Sequence, residues 1–316
     1  MKRRVPAFVI ASSLFLILST VGCSINQLAV RAAADALATS DQPNVFLSDN
    51  DPELIADALP FALKLYETLL QQDPENPELL LTTGSAYVSY ANAFLQTPAN
   101  QLPQREFEKK EQMLSRAKNL YLRGRDMLLE ALELRHPGFR DNLENGDFAS
   151  IQEVTEEEDV PYLYWAGAAW MGAFSTDPFD LDLGLSIQNA AALMDRAFEL
   201  NPSFDEGAIH EFYISYYASL PAGLGGDIEK ARHHFEEAVR IADGKKASPY
   251  VSLATGVSIP QQNVGEFREL MNKALAIDVD LYPAYRLINT IKQREARWYL
   301  DNLERFFIVT EEEESS

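Results

Sequence analysis

The sequence contains a single cysteine, Cys23, in 316 residues, so no disulfide can form within one chain. Basic residues are scarce: 27 Lys and Arg stand against 48 Asp and Glu, a net charge of −21. A surface of that sign repels phosphate backbones and anionic headgroups, which argues against a nucleic-acid partner. Runs of alternating β-branched residues bounded by turns are missing, which argues against sheet. The apolar run "VPAFVIASSLFLIL" spans about fourteen residues, short of the roughly 20 that cross a bilayer comfortably. Chemistry-bearing motifs are absent too. Of the four histidines (His136, His210, His233 and His234), the first residue of "HEFYI" opens like a zinc-protease helix, but Ile214 stands where the second ligand is needed. His233 and His234 are neighbours and point to different faces of a helix. Gly223, Gly225 and Gly226 follow no strand, as a phosphate loop requires. No Gly-x-Ser-x-Gly stretch and no distinctive carboxylate pair occurs. No catalytic residue, metal site or cofactor is assigned, and a hydrolase is disfavoured.

What is present is apolar content suited to a large helical core, 47% of the residues. Prolines punctuate stretches that read as helices over 52–72, 77–95, 103–134, 159–175, 184–200, 205–219, 227–242, 247–256, 263–276 and 281–307. Residues 25–38 read as a further helix, followed by a polar spacer over 39–52. The acidic stretch "EVTEEEDVP" (153–161) is expected to separate a front from a back section. At the N-terminus, Lys2, Arg3 and Arg4 precede the apolar run, and Cys23 follows Gly22 shortly after it. This resembles a bacterial lipobox, with Thr20 where leucine is usual. The reading divides the chain into a signal peptide over 1–22, an acylated N-terminus with helix and spacer over 23–50, a helical domain over 51–308 and an acidic tail over 309–316. Ordinary signal cleavage beside an incidental cysteine, or an uncleaved anchor, are the plainer alternatives.

One spacing recurs. Ala231, Phe235 and Ala238 in "GLGGDIEKARHHFEEAVRIADG" fall on one helical stripe, where two small residues admit a second helix and the aromatic fills the gap. Ala190, Met194, Ala197 and Pro202 repeat it, as do Ala62, Tyr66, Leu69 and Pro74. Phe267, Met271 and Ala274 form a weaker copy with Val279 in the proline slot. The complementary half, Leu80, Gly84 and Tyr87, recurs as Leu163, Gly167 and Trp170. Together these resemble the helical hairpin of tetratricopeptide repeats. The copies start 128, 41 and 36 residues apart, so the array is degenerate and interrupted. The expected fold is all-α, with tetratricopeptide-like helical hairpins in a closed or curved superhelix whose concave face binds something.

Two constellations remain. In "YLYWAGAAWMGAF" (162–174), Trp165 and Trp170 flank a Gly/Ala seam; they are either a packing seam or the wall of an apolar cavity. In "PAYRLINTIKQREARWYLDNL" (283–303), Leu287, Ile291, Arg294 and Trp298 share a stripe, so Arg294 is expected to project into apolar surroundings. It then pairs with an internal acid or helix-end carbonyl, or forks a ligand carboxylate. Arg297 lies on a different stripe with Arg286, Asn289 and Gln293, a candidate channel lining.

"LPAGLGGDIEKARHHFEEAV", "SPYVSLATGVSIPQQNVGEF" and "YRLINTIKQREARWYL", with "PYLYWAGAAW" upstream, resemble the T-component lipoproteins of tripartite ATP-independent periplasmic (TRAP) transporters. The likeness spans roughly 52–307. It implies an all-α fold with cryptic tetratricopeptide units, a homotrimer, a hydrophobic channel through each subunit, and a periplasmic solute-binding protein as partner. The function expected is that of a non-enzymatic, lipid-anchored, periplasm-facing protein of the bacterial cell envelope, at the outer membrane if Ser24 follows the enterobacterial sorting rule. It docks the solute-binding protein and passes on an apolar carboxylate, touching the membrane through its anchor alone. The alternative is a generic tetratricopeptide scaffold for envelope assembly. Cys23→Ala is expected to abolish fatty-acid labelling and accumulate precursor; a variant that still takes up a fatty-acid analogue refutes acylation at this position.

Overall fold

A computed structural model describes residues 44–308; the expected signal peptide, Cys23, the helix over 25–38 and the tail over 309–316 lie outside the described residues. The chain is all-helical, with no strand among the described residues. In order, the α-helices are α1 (Pro52–Leu70), α2 (Pro77–Ala91), α3 (Thr97–Gln101), α4 (Phe107–Arg135), α5 (Phe139–Glu144), α6 (Ala149–Glu153), α7 (Val160–Thr176), α8 (Leu181–Leu185), α9 (Ile187–Leu200), α10 (Phe204–Ser219), α11 (Ile228–Ile241), α12 (Ser248–Leu253), α13 (Val264–Leu275) and α14 (Arg286–Asp301). Their starts are written locally. Asp51, Asn76, Asp227 and Asn263 each accept a hydrogen bond from a first-turn amide, and Pro52 and Pro77 occupy the position where a missing N–H costs nothing. The expected 281–307 helix shortens to α14, because 3₁₀ turns over Val279–Leu281, Pro283–Tyr285 and Leu303–Arg305 take up its ends. The expected 77–95 and 247–256 helices each finish as π-helix, over Asn92–Gln96 and Ala254–Ser258.

Each helix buries its stripe on the next. α1 packs on α2, α2 on α4, α4 on α7 and α7 on α9; α10 packs on α11, and α12, α13 and α14 complete the back. The first core runs from Leu63 to Tyr213 and the second from Ile214 to Phe307, so the division falls inside α10. The acidic stretch therefore does not separate two sections. Val154, Val160 and Leu163 belong to the first core, and Asp159, fully buried, binds Arg135 Nε and, at 2.9 Å, His136 Nε2. The Arg135 guanidinium and the His136 ring at the end of α4 pin that stretch, giving a buried carboxylate the partners it needs.

The small residues sit where backbones approach. A Cβ on Gly84 would lie 3.0 Å from the Gly124 carbonyl oxygen, and one on Gly124 would lie 2.7 Å from that of Gly84. A Cβ on Gly167 would lie 3.1 Å from the Ala190 oxygen. Ala190, Met194, Ala197, Ala231, Ala238 and Ala274 are buried, with Tyr87. Phe235 is half-buried, its ring edge-on to Tyr250 at 5.5 Å. The first copy is out of register: Ile55, Leu63 and Leu70 carry the buried stripe of α1, while Ala62 and Tyr66 flank it half-buried. Leu63 and Leu70 join the first core, and Ile55 joins Leu287 and Ile291 of the last helix. Gly124→Ala is expected to lower stability by about 1–3 kcal/mol, the usual cost of forcing atoms into a packed contact; thermal unfolding of the variant measures it.

Candidate functional site

α14 closes the chain of helices by returning to α1. In its first turn the Leu287 amide donates to the Leu47 carbonyl at 2.9 Å, and Arg286 Nη1 donates to the Ser48 carbonyl at 3.0 Å. Ile55, Leu287 and Ile291 form a small buried cluster beneath Phe46, Leu59, Ala93 and Phe94. Arg294 lies one turn further along and does not enter it. Its side chain is 51% exposed and pairs with Glu53 in the first turn of α1. The expectation of a buried arginine is thus corrected: the apolar stripe is covered only as far as Ile291, and beyond it α14 meets the charged entrance of α1.

The polar stripe of α14 is committed to backbone groups. Asn289, fully buried, accepts from the Ala247 amide at 2.9 Å and donates to the Lys245 carbonyl at 2.8 Å. Gln293 donates to the carbonyls of Ala274 and Ile277 at 3.0 and 2.7 Å, closing the end of α13. Arg297 is exposed. Trp298 is half-buried under the Arg305 guanidinium, 4.9 Å from the ring, and Arg305 reaches the carbonyls of Gln101 and Leu102. On α7, Trp170 is buried, donates to Ser186 at 3.1 Å and lies under Arg125, 4.7 Å from its ring. Trp165 packs edge-on to Tyr164 at 5.2 Å. The six ligand or channel candidates are therefore dispersed over two helices, α7 and α14.

What does converge sits where the two cores meet. The Asn289 clamp holds Lys246, whose side chain is 5% exposed. Its ammonium donates to the Asp205 carbonyl, stands 3.5 Å from Glu211 Oε1, and lies 5.0 Å from the centre of the Tyr285 ring. Asp205, Glu206 and Gly207 have φ of 44°, 47° and 88°, a left-handed turn opening α10. Such a turn costs non-glycine residues roughly 1–2 kcal/mol each, and the buried ammonium on Asp205 is what offsets it. At Gly207 a Cβ would come 3.3 Å from Ala238 Cα, so α11 crosses directly over the turn.

One turn along α10, His210 and His234 face each other, Nδ1 to Nδ1 at 2.9 Å. Tyr213 and Tyr217 stack on His234 at 4.8 and 5.6 Å, Phe198 packs edge-on to His210 at 5.3 Å, and Tyr213 donates to Asp195. Only one proton fits between two Nδ1 atoms at that distance, so a single ring donates. Burial pushes the His234 imidazole down to about 4, with His210 and His233 adding to the effect, and burial lowers His210 as well. From sequence, His210 sits on a helix that lacks a second ligand and His233 and His234 point to different faces, so the pairing of His210 with His234 is not foreseen. The signal was there: His210, Tyr213 and Tyr217 recur at i, i+3 and i+7 on one face, but the partner on α11 comes only from tertiary packing.

No helix of the described residues is long and apolar enough to cross a membrane. Two comparisons with known proteins bear on what this arrangement serves. The model of the TRAP transporter T-component family matches residues 48–307. An uncharacterized protein of Treponema pallidum (strain Nichols) is 35% identical over 320 residues, covering 96% of this chain and 98% of that one.

The histidine pair predicts a pH response. A base whose folded-state pKa is depressed contributes stability that is complete above its unfolded value near 6.5 and is lost as pH falls toward about 4. The loss is expected to be on the order of 1–3 kcal/mol over that window. Lys230, Glu237, Arg240 and His233 also surround the pair, so the measurement is comparative: His234→Phe should flatten the wild-type slope of denaturation midpoint against pH between 6.5 and 4, and parallel slopes refute it.

Proposed function

Because the chain belongs to the TRAP transporter T-component family, whose members are transporter components and not enzymes, we propose that it is a periplasm-facing lipoprotein that docks the solute-binding component of a TRAP transporter. The observation that carries this reading is the extent of the family match, which runs from the segment that receives α14 to Phe307, the last buried residue among those described. The match thus covers the whole closed set of helices and not one hairpin that a generic scaffold would share. The family also carries an association with the transporter and a place in the cell envelope. Acylation at Cys23 then holds the protein at a membrane, and the outer membrane is the site proposed. We propose further that the protein assembles as a homotrimer and binds or passes on an apolar carboxylate. Arg294 is engaged by Glu53, so Arg297, exposed and beside Trp298, is the guanidinium proposed to meet a ligand carboxylate.

The test is direct. The protein mixed with the solute-binding protein encoded beside a TRAP permease in the same genome should co-elute as a stable complex. Separate elution of the two at concentrations of tens of micromolar refutes the docking claim; weakened binding of a branched or fatty carboxylate to Arg297→Met, with unchanged melting, supports the ligand claim.

A further inference from the structure

α1 carries apolar side chains on two faces. Ile55, Leu63 and Leu70 are buried, whereas Leu54, Phe61 and Leu65 are 56%, 76% and 42% exposed. The exposed three stand at i, i+7 and i+11, one stripe of a helix, and Ala58 completes it at i+4. Val45 and Leu47, just before α1, are exposed as well. Five of the eleven large apolar side chains exposed among the described residues therefore lie within 45–65. Isolated exposed leucines are ordinary, but a continuous stripe marks a surface that something covers. α2 and α14 pack on α1 without covering it. α1 is also the first described helix of the row, the position at which stacked helical arrays need a polar outer face to stay soluble.

The chain that precedes residue 44 has the length and pattern to fill that place. Over 25–38, the stretch whose sequence reads as a helix, Ile25, Ala29, Ala32 and Ala36 fall at i, i+4, i+7 and i+11. The two stripes match when read in opposite directions: Ile25, Ala29, Ala32 and Ala36 come level with Leu65, Phe61, Ala58 and Leu54. Small side chains thus oppose Phe61 and Leu54, which lets two helix axes approach closely. As helix, residues 25–38 would be about 21 Å long, against roughly 16 Å from Leu54 to Leu65. The point of entry sets the direction. The Leu47 and Ser48 carbonyls are held by the start of α14, and Phe46 packs on the Ile55 cluster, so the chain arrives beside the first turn of α1. A helix that ends at residue 38 and is followed by so short a connection is placed to run antiparallel to α1.

We propose that residues 25–38 seat as an antiparallel helix on the outer stripe of α1 and cap the row of helices. Leu54, Phe61 and Leu65 would then leave solvent, and the array would gain the end that its first described helix lacks. The inference stands on the exposed stripe and the sequence before it, and needs neither the trimer nor the solute-binding partner. With acylation at Cys23, as proposed above, the lipid would lie close to Leu65, so this end of α1 would be the part of the body held nearest the membrane.

The test is amide hydrogen exchange of the full chain in detergent, read by mass spectrometry, with circular dichroism to establish that each variant is folded. A helix this short is marginal in water by itself, so slow exchange over 25–38 reports docking. Wild type is expected to exchange there about ten-fold more slowly than Phe61→Asp. Phe179→Asp, which alters a side chain 93% exposed elsewhere on the surface, should match wild type. Exchange over 25–38 in wild type as fast as in an unfolded peptide overturns the proposal. Slow exchange that Phe61→Asp leaves unchanged overturns the stripe as its seat. Slow exchange that is lost on dilution, in step with dissociation of an oligomer, also overturns it, by assigning the stripe to a second copy. The mass of the peptide that holds Cys23 reads acylation in the same spectra, so failure of the docking and failure of the anchor are told apart.

Discussion

The distance between helix axes is set in this protein by a few residues with almost no side chain, and the rest of the packing follows from it. At Gly84 and Gly124 two backbones come so near that a methyl group would press on a carbonyl oxygen. The same economy operates between Gly167 and Ala190, and between Gly207 and Ala238. Large side chains then fill the space beside each crossing: Tyr87, Leu128, Leu163 and Met194 are all buried. Interiors at this density cannot absorb an added carbon without displacing something rigid. With one cysteine in the chain, no covalent link within it shares that task.

A row of helices, each covering the next, leaves an uncovered stripe at either end, the problem that capping repeats solve in open solenoids. Here the two ends cover each other in part, through Ile55, Leu287 and Ile291. The other weak point is the seam between the two cores, which α10 crosses. Lys246, the clamp from Asn289 and the paired imidazoles are gathered at that seam. Polar groups there are individually expensive to bury but are matched to partners, so they fix one geometry where apolar packing alone would tolerate several.

The helices and most of their contact faces were legible in the sequence because they depend on local rules. Ala190, Met194 and Ala197 mark the face of α9, Ala231, Phe235 and Ala238 that of α11, and Asp227 and Asn263 mark the starts of α11 and α13, all without reference to any neighbour. Resemblance to the TRAP family was legible for the same reason, in short stretches of the back half. The candidate site was not. Arg294 was read as buried from its stripe, but whether a stripe is covered depends on where the start of α1 comes to lie, with Glu53 241 residues away in sequence. α5, α6 and α8 are too short for periodicity to register. The pairing of His210 with His234, and the left-handed turn at Asp205, arise only when α10 and α11 are laid together.

The contact between α14 and α1 also bears on the order of folding. Most helix pairs here join neighbours in sequence and can form as soon as both members exist, which favours fast, local assembly. Joining Glu53 to Arg294, and Ile55 to Leu287, requires closing a loop of more than two hundred residues, with an entropic cost that no earlier contact reduces until the intervening helices have stacked. That contact therefore forms late. Until it does, the Ile55 end of α1 stays open to solvent, so a chain arrested before α14 is complete would present Ile55 and Phe46 as a sticky end.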